Sequence, residues 1–399
     1  MKKIYLVTAL ACCALQPTLA QKQEECKPVN LHCDHLINPL GIDNANPRLS
    51  WMLNDARQGA RQTAYQIIVS TDSLKANNEN GEIWNSGKKE SDQILVTYPE
   101  KNLQPFTKYY WKVNVWDKDG KKASSDINSF ETGMMGMENW QGAWIGDNRD
   151  IHYKPAPYFR KTFDTQKKVK SARAYIAVAG LYELYINGEK IGNHRLDPLY
   201  TRFDRRNLYV TYDVTGQLRN GDNAIGVLLG NGWYNHQSKA VWDFDRAPWR
   251  NRPAFCLDLR ITYSDGSVET IPTDLSWKTS SGALVFNSIY TGEHYDARLE
   301  QKGWNTPDFD DSKWRGVGLR GVPSQNVVAQ QVRPIRNVLT IPAKSVNKIN
   351  DKTYVFDFGQ NMAGVTNIKV SGEEGTEVRI MHGERLFDNG RIDMSTIDV

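Results

Sequence analysis

The chain has 399 residues, enough for two to four domains at about 100–200 residues each. With 40% hydrophobic and 24% charged residues it fits an ordinary soluble globular protein. Its formal charge of +4 falls to +2 once residues 1–20, which hold Lys2 and Lys3 and no acid, are set aside. No basic run or stripe stands out, so nucleic acid is excluded as a partner.

The first twenty residues predict a secretory signal. Lys2 and Lys3 give a positive end, Ile4 to Leu15 an apolar stretch too short for a membrane span, and Thr18-Leu19-Ala20 a small-residue cleavage site. The mature chain would start near Gln21 and be exported, to the periplasm or beyond the cell. Cys12 and Cys13 raise a lipoprotein alternative, but Ala9-Leu10-Ala11 makes a poor lipobox. No later segment approaches 18 apolar residues, so no membrane span is expected. Cys26, Cys33 and Cys256 remain after cleavage. Cys26 and Cys33 could pair in an oxidising compartment, and Cys256 reads as a buried thiol. No CxxC or HExxH pattern supports zinc.

Beyond the leader, short alternating strands with turn signals predict an all-β chain. The 12 tryptophans and 18 tyrosines suit β cores or sugar-stacking surfaces. Residues 27–134 form a first unit. Its clearest pattern is Leu103, Pro105, Thr107, Tyr109, Trp111, Val113 and Val115, spaced by two and so on one face of a strand and its lead-in. Asp117-Lys118-Asp119-Gly120 ends that strand in a turn. The unit resembles a fibronectin type III module, with Tyr109 in the tyrosine-corner role.

Residues 140–330 form a second unit. Leu184 to Gly192 predicts a hairpin turning at Asn187-Gly188. Tyr212 to Asn223 predicts a capped short turn feeding a strand from Ala224 to Leu229, and Gly230-Asn231-Gly232-Trp233-Tyr234 a glycine-shaped loop. This unit resembles a jelly-roll of the galactose-binding type. Residues 335–399 begin a third unit, with Tyr354 to Gly364 as its most distinctive run. About 65 residues fall short of the roughly 100 of such a sandwich, so a truncated unit is expected.

Four segments, ELYINGEKIG, DVTGQLRNGDNAIGVLLGNGWY, YTGEHYDARLEQKGW and DFGQNMAG, together resemble the bacterial α-L-rhamnosidases of glycoside hydrolase family 78. The resemblance implies a fibronectin-like sandwich, a jelly-roll and the start of a concanavalin-like sandwich. It also implies inverting hydrolysis of terminal α-L-rhamnosides in plant or pectic glycans. Inversion needs an acid and a base carboxylate about 6.5–9.5 Å apart. In the family these lie in a downstream (α/α) barrel, so no catalytic residue is assigned here and a catalytic domain from the same locus is an expected partner. The alternative is a free-standing, rhamnose-binding, lectin-like protein.

A sugar needs an apolar face to stack on and amides or carboxylates for its hydroxyls. Asn231, Trp233 and Tyr234 are the first candidates, with Trp242 and Trp249 a second stacking pair. Some relatives bind calcium in this jelly-roll, and Asn231, Asp243 and Asp245 could supply oxygen ligands. Glu293, Asp296 and Arg298 form an acidic cluster, read as an Arg298 ion pair with Glu293 or Asp296 or as the rim of an active site. Gly316 to Gly321 spells GxGxxG, but no helical pattern follows it, so no dinucleotide site is expected.

Overall fold

In the computed structural model the described residues are 26–99, 102–238 and 242–395. The leader at 1–20, with Cys12 and Cys13, lies outside them. The described chain is nearly all β, with one five-residue helix and a few short 3-10 turns. It divides into two compact units. One comprises residues up to His32, Arg48–Thr97 and Tyr110–Asn128, and the other Cys33–Pro47, Tyr98–Tyr109 and Ser129 onward.

The first unit is built on β1 (Lys27–Cys33), β2 (Arg48–Asn54), β3 (Gln62–Ser70), α1 (Ser73–Asn77), β4 (Trp84–Asn85), β5 (Lys89–Glu90), β6 (Leu95–Thr97), β7 (Lys108–Asp117) and β8 (Lys122–Ser124). One sheet runs β1-β2-β6 and the other β4-β3-β7-β8, with β5 also on β3. Trp51, Ile67, Trp111, Val113 and Val115 are buried between them. The Trp51 indole donates to the Gln62 side chain at 2.9 Å, and Gln62 donates on to the Ser91 and Gln93 carbonyls. That chain satisfies the polar end of a buried tryptophan.

Alternation along β7 is only half of its pattern, because Lys112 and Asn114 are buried as well. β7 is a central strand with both faces covered. Asn114 meets its second face by donating to Gln66 at 3.1 Å and accepting from Ser124 at 2.6 Å. Cys26 and Cys33 are free, buried thiols. The seven residues of β1 between and including Lys27 and Cys33 are extended, which spaces the two thiols by roughly 20 Å. That is far beyond disulfide reach.

The second unit opens with β9 (Asn128–Glu131). It continues through β10 (Ile145–Gly146), β11 (Pro157–Thr165), β12 (Val169–Ala179), β13 (Leu181–Ile186), β14 (Glu189–Lys190), β15 (His194–Arg195), β16 (Asn207–Asp213), β17 (Gly221–Gly230) and β18 (Ala254–Tyr263). Then come β19 (Val268–Pro272), β20 (Lys278–Ser281), β21 (Leu284–Ser288), β22 (Gly292–Tyr295), β23 (Arg315–Gly316), β24 (Gly318–Leu319) and β25 (Val327–Ala329). Two sheets face each other as a jelly-roll. One runs β24-β10-β18-β12-β16-β25, with β19 on β18, and the other β14-β13-β17-β11-β20-β23. Ile176, Val178, Leu184, Ile225, Val227, Phe255, Leu257 and Trp277 fill the space between. Phe255 meets Phe159 and Trp277 edge-on at 5.0 and 5.5 Å, contacts worth about 0.5–1.5 kcal/mol each beyond their area.

β12 and β18 are buried on their outer face too. Tyr175, Ala177, Ala254 and Cys256 join Met134, Trp144, Phe203, Tyr209 and Tyr234 in a second apolar cluster. The Asp43 carboxylate adjoins it. It accepts from the Tyr209 hydroxyl at 2.5 Å, the Met135 amide at 2.8 Å and the Ala329 amide at 2.8 Å. Burial pushes its pKa up despite those donors. The Tyr109 hydroxyl accepts from the Gln104 amide at 2.8 Å, the hydrogen bond of a tyrosine corner. The β13–β14 hairpin turns at Asn187 and Gly188 with φ of 52° and 87°, a turn with positive φ at both central residues.

After Ile335 the chain forms two hairpins, β27 (Ser345–Asn350) with β28 (Thr353–Asp357) and β29 (Arg385–Leu386) with β30 (Ile392–Asp393); β26 (Ile335–Arg336) pairs with β15. Val346, Phe356, Val365 and Val370 are exposed.

Candidate functional site

Three loops of the second unit meet at one end of the jelly-roll: residues 196–206 before β16, the described residues 231–238 and 242–253 between β17 and β18, and the β21–β22 turn. The backbone has to turn sharply at Gly232, where φ is 50° and an added Cβ would lie 3.0 Å from Leu181. Asn231 locks that turn. Its amide N–H donates to the Asn287 side chain at 2.7 Å, and its side chain donates to the Asn287 carbonyl at 3.0 Å. Asn231 is 2% exposed, so its side chain holds the loop together.

Trp233 is half-buried. Its indole donates to the Tyr290 hydroxyl at 3.4 Å, and its carbonyl accepts from the Trp249 indole at 3.3 Å. Tyr234 is buried against Phe203, with ring centres 5.1 Å apart, and burial pushes its hydroxyl up to about 12. Trp249 completes the cluster with Phe244 at 6.4 Å and the Arg202 guanidinium at 6.0 Å. Trp242 stands 73% exposed on the same loop.

Tyr200 is at the centre, with ring contacts to Trp233 at 5.6 Å, Phe244 at 6.0 Å and Trp249 at 6.3 Å. It is 43% exposed and presents the group's accessible aromatic edge. Tyr200, Phe203, Phe244, Tyr290 and His236 are absent from the sequence-derived set. Tyr290 opens the YTGEHYDARLEQKGW segment and His236 follows Tyr234 by two residues, whereas the segment around Tyr200 carries no periodicity that could have flagged it. His236 is buried, and its burial pushes the imidazole pKa down, holding the ring neutral. Its Nε2 lies 3.3 Å from the Ser238 hydroxyl. The His236 Nδ1, Gln237 Oε1 and Asn287 Nδ2 atoms are buried with no partner among the described residues. Aromatic faces beside unspent amide and imidazole groups suit a sugar, which offers both an apolar ring face and hydroxyls.

The acidic cluster divides. Glu293 lies across the hairpin from Asn287, and desolvation of its carboxylate together with the Glu183 carboxylate pushes its pKa up. Asp296 and Arg298 pair with each other at the far end of the hairpin, through bonds of 2.8 and 2.7 Å. The same Asp296 caps the short turn at Ala297–Leu299. Arg298 therefore pairs with Asp296 and not with Glu293. Asp243 begins the 3-10 turn Phe244–Arg246. Among the described residues, no three His, Cys, Asp or Glu side chains converge in a way that could hold a metal ion. Gly316 and Gly318 sit in the two-residue strands β23 and β24 with no helix following.

Comparison with known proteins places this architecture. Residues 28–136 match the Rha78A-like N-terminal immunoglobulin domain, residues 167–339 the alpha-L-rhamnosidase N-terminal domain, and residues 347–399 the bacterial alpha-L-rhamnosidase concanavalin-like domain. An alpha-L-rhamnosidase of Formosa agariphila is 35% identical over 93% of the chain, which spans 42% of that relative. The structure of alpha-L-rhamnosidase from Dictyoglumus thermophilum superposes with a TM-score of 0.84 and 40% identity, over 93% of this chain and 43% of that one. A Streptomyces avermitilis alpha-L-rhamnosidase complexed with L-rhamnose superposes with a TM-score of 0.84 and 25% identity, over 93% and 52%. The chain thus spans about two fifths of the length of the curated relatives it matches. It belongs to the bacterial α-L-rhamnosidases and matches their N-terminal β-domains.

Proposed function

We propose that the chain is the accessory β-portion of an exported α-L-rhamnosidase that hydrolyses terminal α-L-rhamnosides of plant or pectic glycans with inversion, and that the chain does not itself carry the catalytic carboxylates. The observation behind this reading is a match along 93% of the chain that occupies only 43% of a solved α-L-rhamnosidase. The chemistry of the acidic cluster agrees. Inversion needs two free carboxyls flanking a water, whereas Asp296 is held by Arg298 and Glu300 accepts from Tyr295. We place the functional units at residues 27–134, 140–330 and 335–399, with 1–20 as an export signal; among the described residues no helix is long and apolar enough to cross a membrane.

The role of the jelly-roll in this reading is to hold the glycan. Trp233, Trp242 and Trp249 stack on sugar rings, while Asn231 and Tyr234 shape the loop behind them. Glu293, Asp296 and Arg298 contribute to the rim of the active site. A second reading, a lectin-like protein that binds rhamnose glycans without cleaving them, draws on the exposed Trp242 and Tyr200 faces. Release of nitrophenol from an aryl α-L-rhamnoside by residues 21–399 tests both. No turnover is expected. Turnover abolished by Glu293→Gln or Asp296→Asn would put catalysis in this β region and overturn the assignment.

A further inference from the structure

A second concave feature has its own lining, distinct from the aromatic group. It is a cleft of about 250 Å³ lined by Asp147, Arg149, Tyr153, Thr279, Ser280, Ser281, Lys313 and Arg315. Its volume lies below the roughly 300–1,000 Å³ of sites for drug-sized ligands, so it suits one small polar unit. The charges at its mouth are unbalanced. The one acid, Asp147, is already neutralised, since Arg252 donates to both of its oxygens, at 3.1 and 2.7 Å. Arg149 lies over the Tyr153 ring at 4.9 Å. Lys313 and Arg315 make no ion pair with any of the described residues; Asp310 beside them accepts from the Ser312 amide at 3.0 Å. Three cations therefore ring a cleft whose single carboxylate is spent.

Hydroxyls stand beside these cations, with Thr279 across the strand pair from Arg315. Tyr153 and Ser281 hydroxyls lie 3.1 Å apart, and Ser280 and Thr279 stand beside them on β20. The segment carrying Tyr153 is fixed by Gln237, which donates to the Ile151 and Tyr153 carbonyls at 3.3 and 3.2 Å. It is fixed again by Arg252, which donates to the Tyr153 carbonyl at 2.7 Å. A set pocket in which planar and ammonium cations stand beside hydroxyls matches an oxyanion on a polyhydroxyl ring.

We propose that this cleft binds an acidic sugar unit of the glycan, through its carboxylate or sulfate group. Arg149, Lys313 and Arg315 engage the oxyanion, and Tyr153 and Ser281 the ring hydroxyls. That the oxyanion belongs to a glycan rests on the rhamnosidase reading. The full chain, titrated calorimetrically with tetragalacturonate, with its methyl ester and with a sulfated oligosaccharide of similar length, tests the proposal. Binding of the uronate or the sulfated ligand is expected, with the tighter of the two identifying the source of the oxyanion. The Lys313→Gln/Arg315→Gln double variant should weaken it at least tenfold. Both positions are exposed, so the melting temperature should not move. Equal binding of the methyl ester, or unchanged binding by the double variant, overturns the site. Neutral rhamnoside binding, measured on the same variant, should be unaffected and reports on the family reading separately.

Discussion

Arg252 and Asp147 meet as a bidentate pair, both essentially sealed from solvent at 1% and 5% side-chain exposure. The remaining guanidinium donors reach the Tyr153 and Pro155 carbonyls at 2.7 Å each. Four of the five N–H donors of the arginine are therefore used, and extensive pairing of this kind is the condition under which a buried pair is tolerated. Arg252→Met strands the Asp147 carboxylate and is expected to cost about 3–5 kcal/mol. Arg252→Met with Asp147→Asn should recover part of that loss. Chemical denaturation of the three proteins checks both statements.

Asp258 predicts a pH dependence. Its carboxylate accepts from the Gln141 amide at 2.8 Å, and burial pushes its pKa up to about 6. The unfolded value is about 3.9, so the folded protein holds this proton more tightly. The resulting stabilisation is complete below about pH 4 and is lost as pH rises through about 6. At pH 7 the buried charge weighs against folding by about 3 kcal/mol. Asp258→Asn should raise the melting temperature at pH 7 and flatten its change between pH 4 and 7. An unchanged slope would show that Asp258 does not set it.

Tyr109→Phe removes the acceptor of the Gln104 amide while keeping the ring stacked on Phe130 at 5.2 Å. The expected cost is about 1–3 kcal/mol, that of an orphaned buried donor. Thermal unfolding followed by tryptophan fluorescence reads it.

Within the aromatic group, Trp242→Ala and Trp233→Ala should behave differently. Trp242 is exposed and supports nothing, so its loss should leave melting unchanged and weaken a rhamnose-containing oligosaccharide about threefold to tenfold, the worth of one aromatic contact. Trp233 packs on Tyr200 and its indole donates to the Tyr290 hydroxyl, so its loss should lower both binding and stability. Trp242→Ala with unaltered affinity would remove that side chain from the surface that holds sugar.

The fold was legible wherever one face of a strand is wet or a turn demands a special residue. Asn187-Gly188 specified its hairpin, Tyr109 its corner, and Gly232 its tight loop. Legibility failed where both faces are covered. The buried Asn114 and Lys112 on β7, and the second apolar face of β12 and β18, break the two-residue period that a solvated sheet would keep. The site was legible in its local half, Asn231 to Tyr234, because glycine and aromatics are neighbours in the chain. Tyr200 and Tyr290 reach the same place from separate loops, and the pairing of Arg298 with Asp296 over Glu293 depends on the hairpin register. Neither is written in local spacing.

The Asp43 carboxylate has a practical consequence. It gathers a hydroxyl and two amides from positions 209, 135 and 329. A gene fragment that begins at residue 140 would express Tyr209 and Ala329 with two buried donors facing a hole. For grafting onto another enzyme, the transplantable cassette must therefore include residues 33–47 along with the strands, and a swap designed from motif boundaries alone would deliver a jelly-roll missing its own keystone.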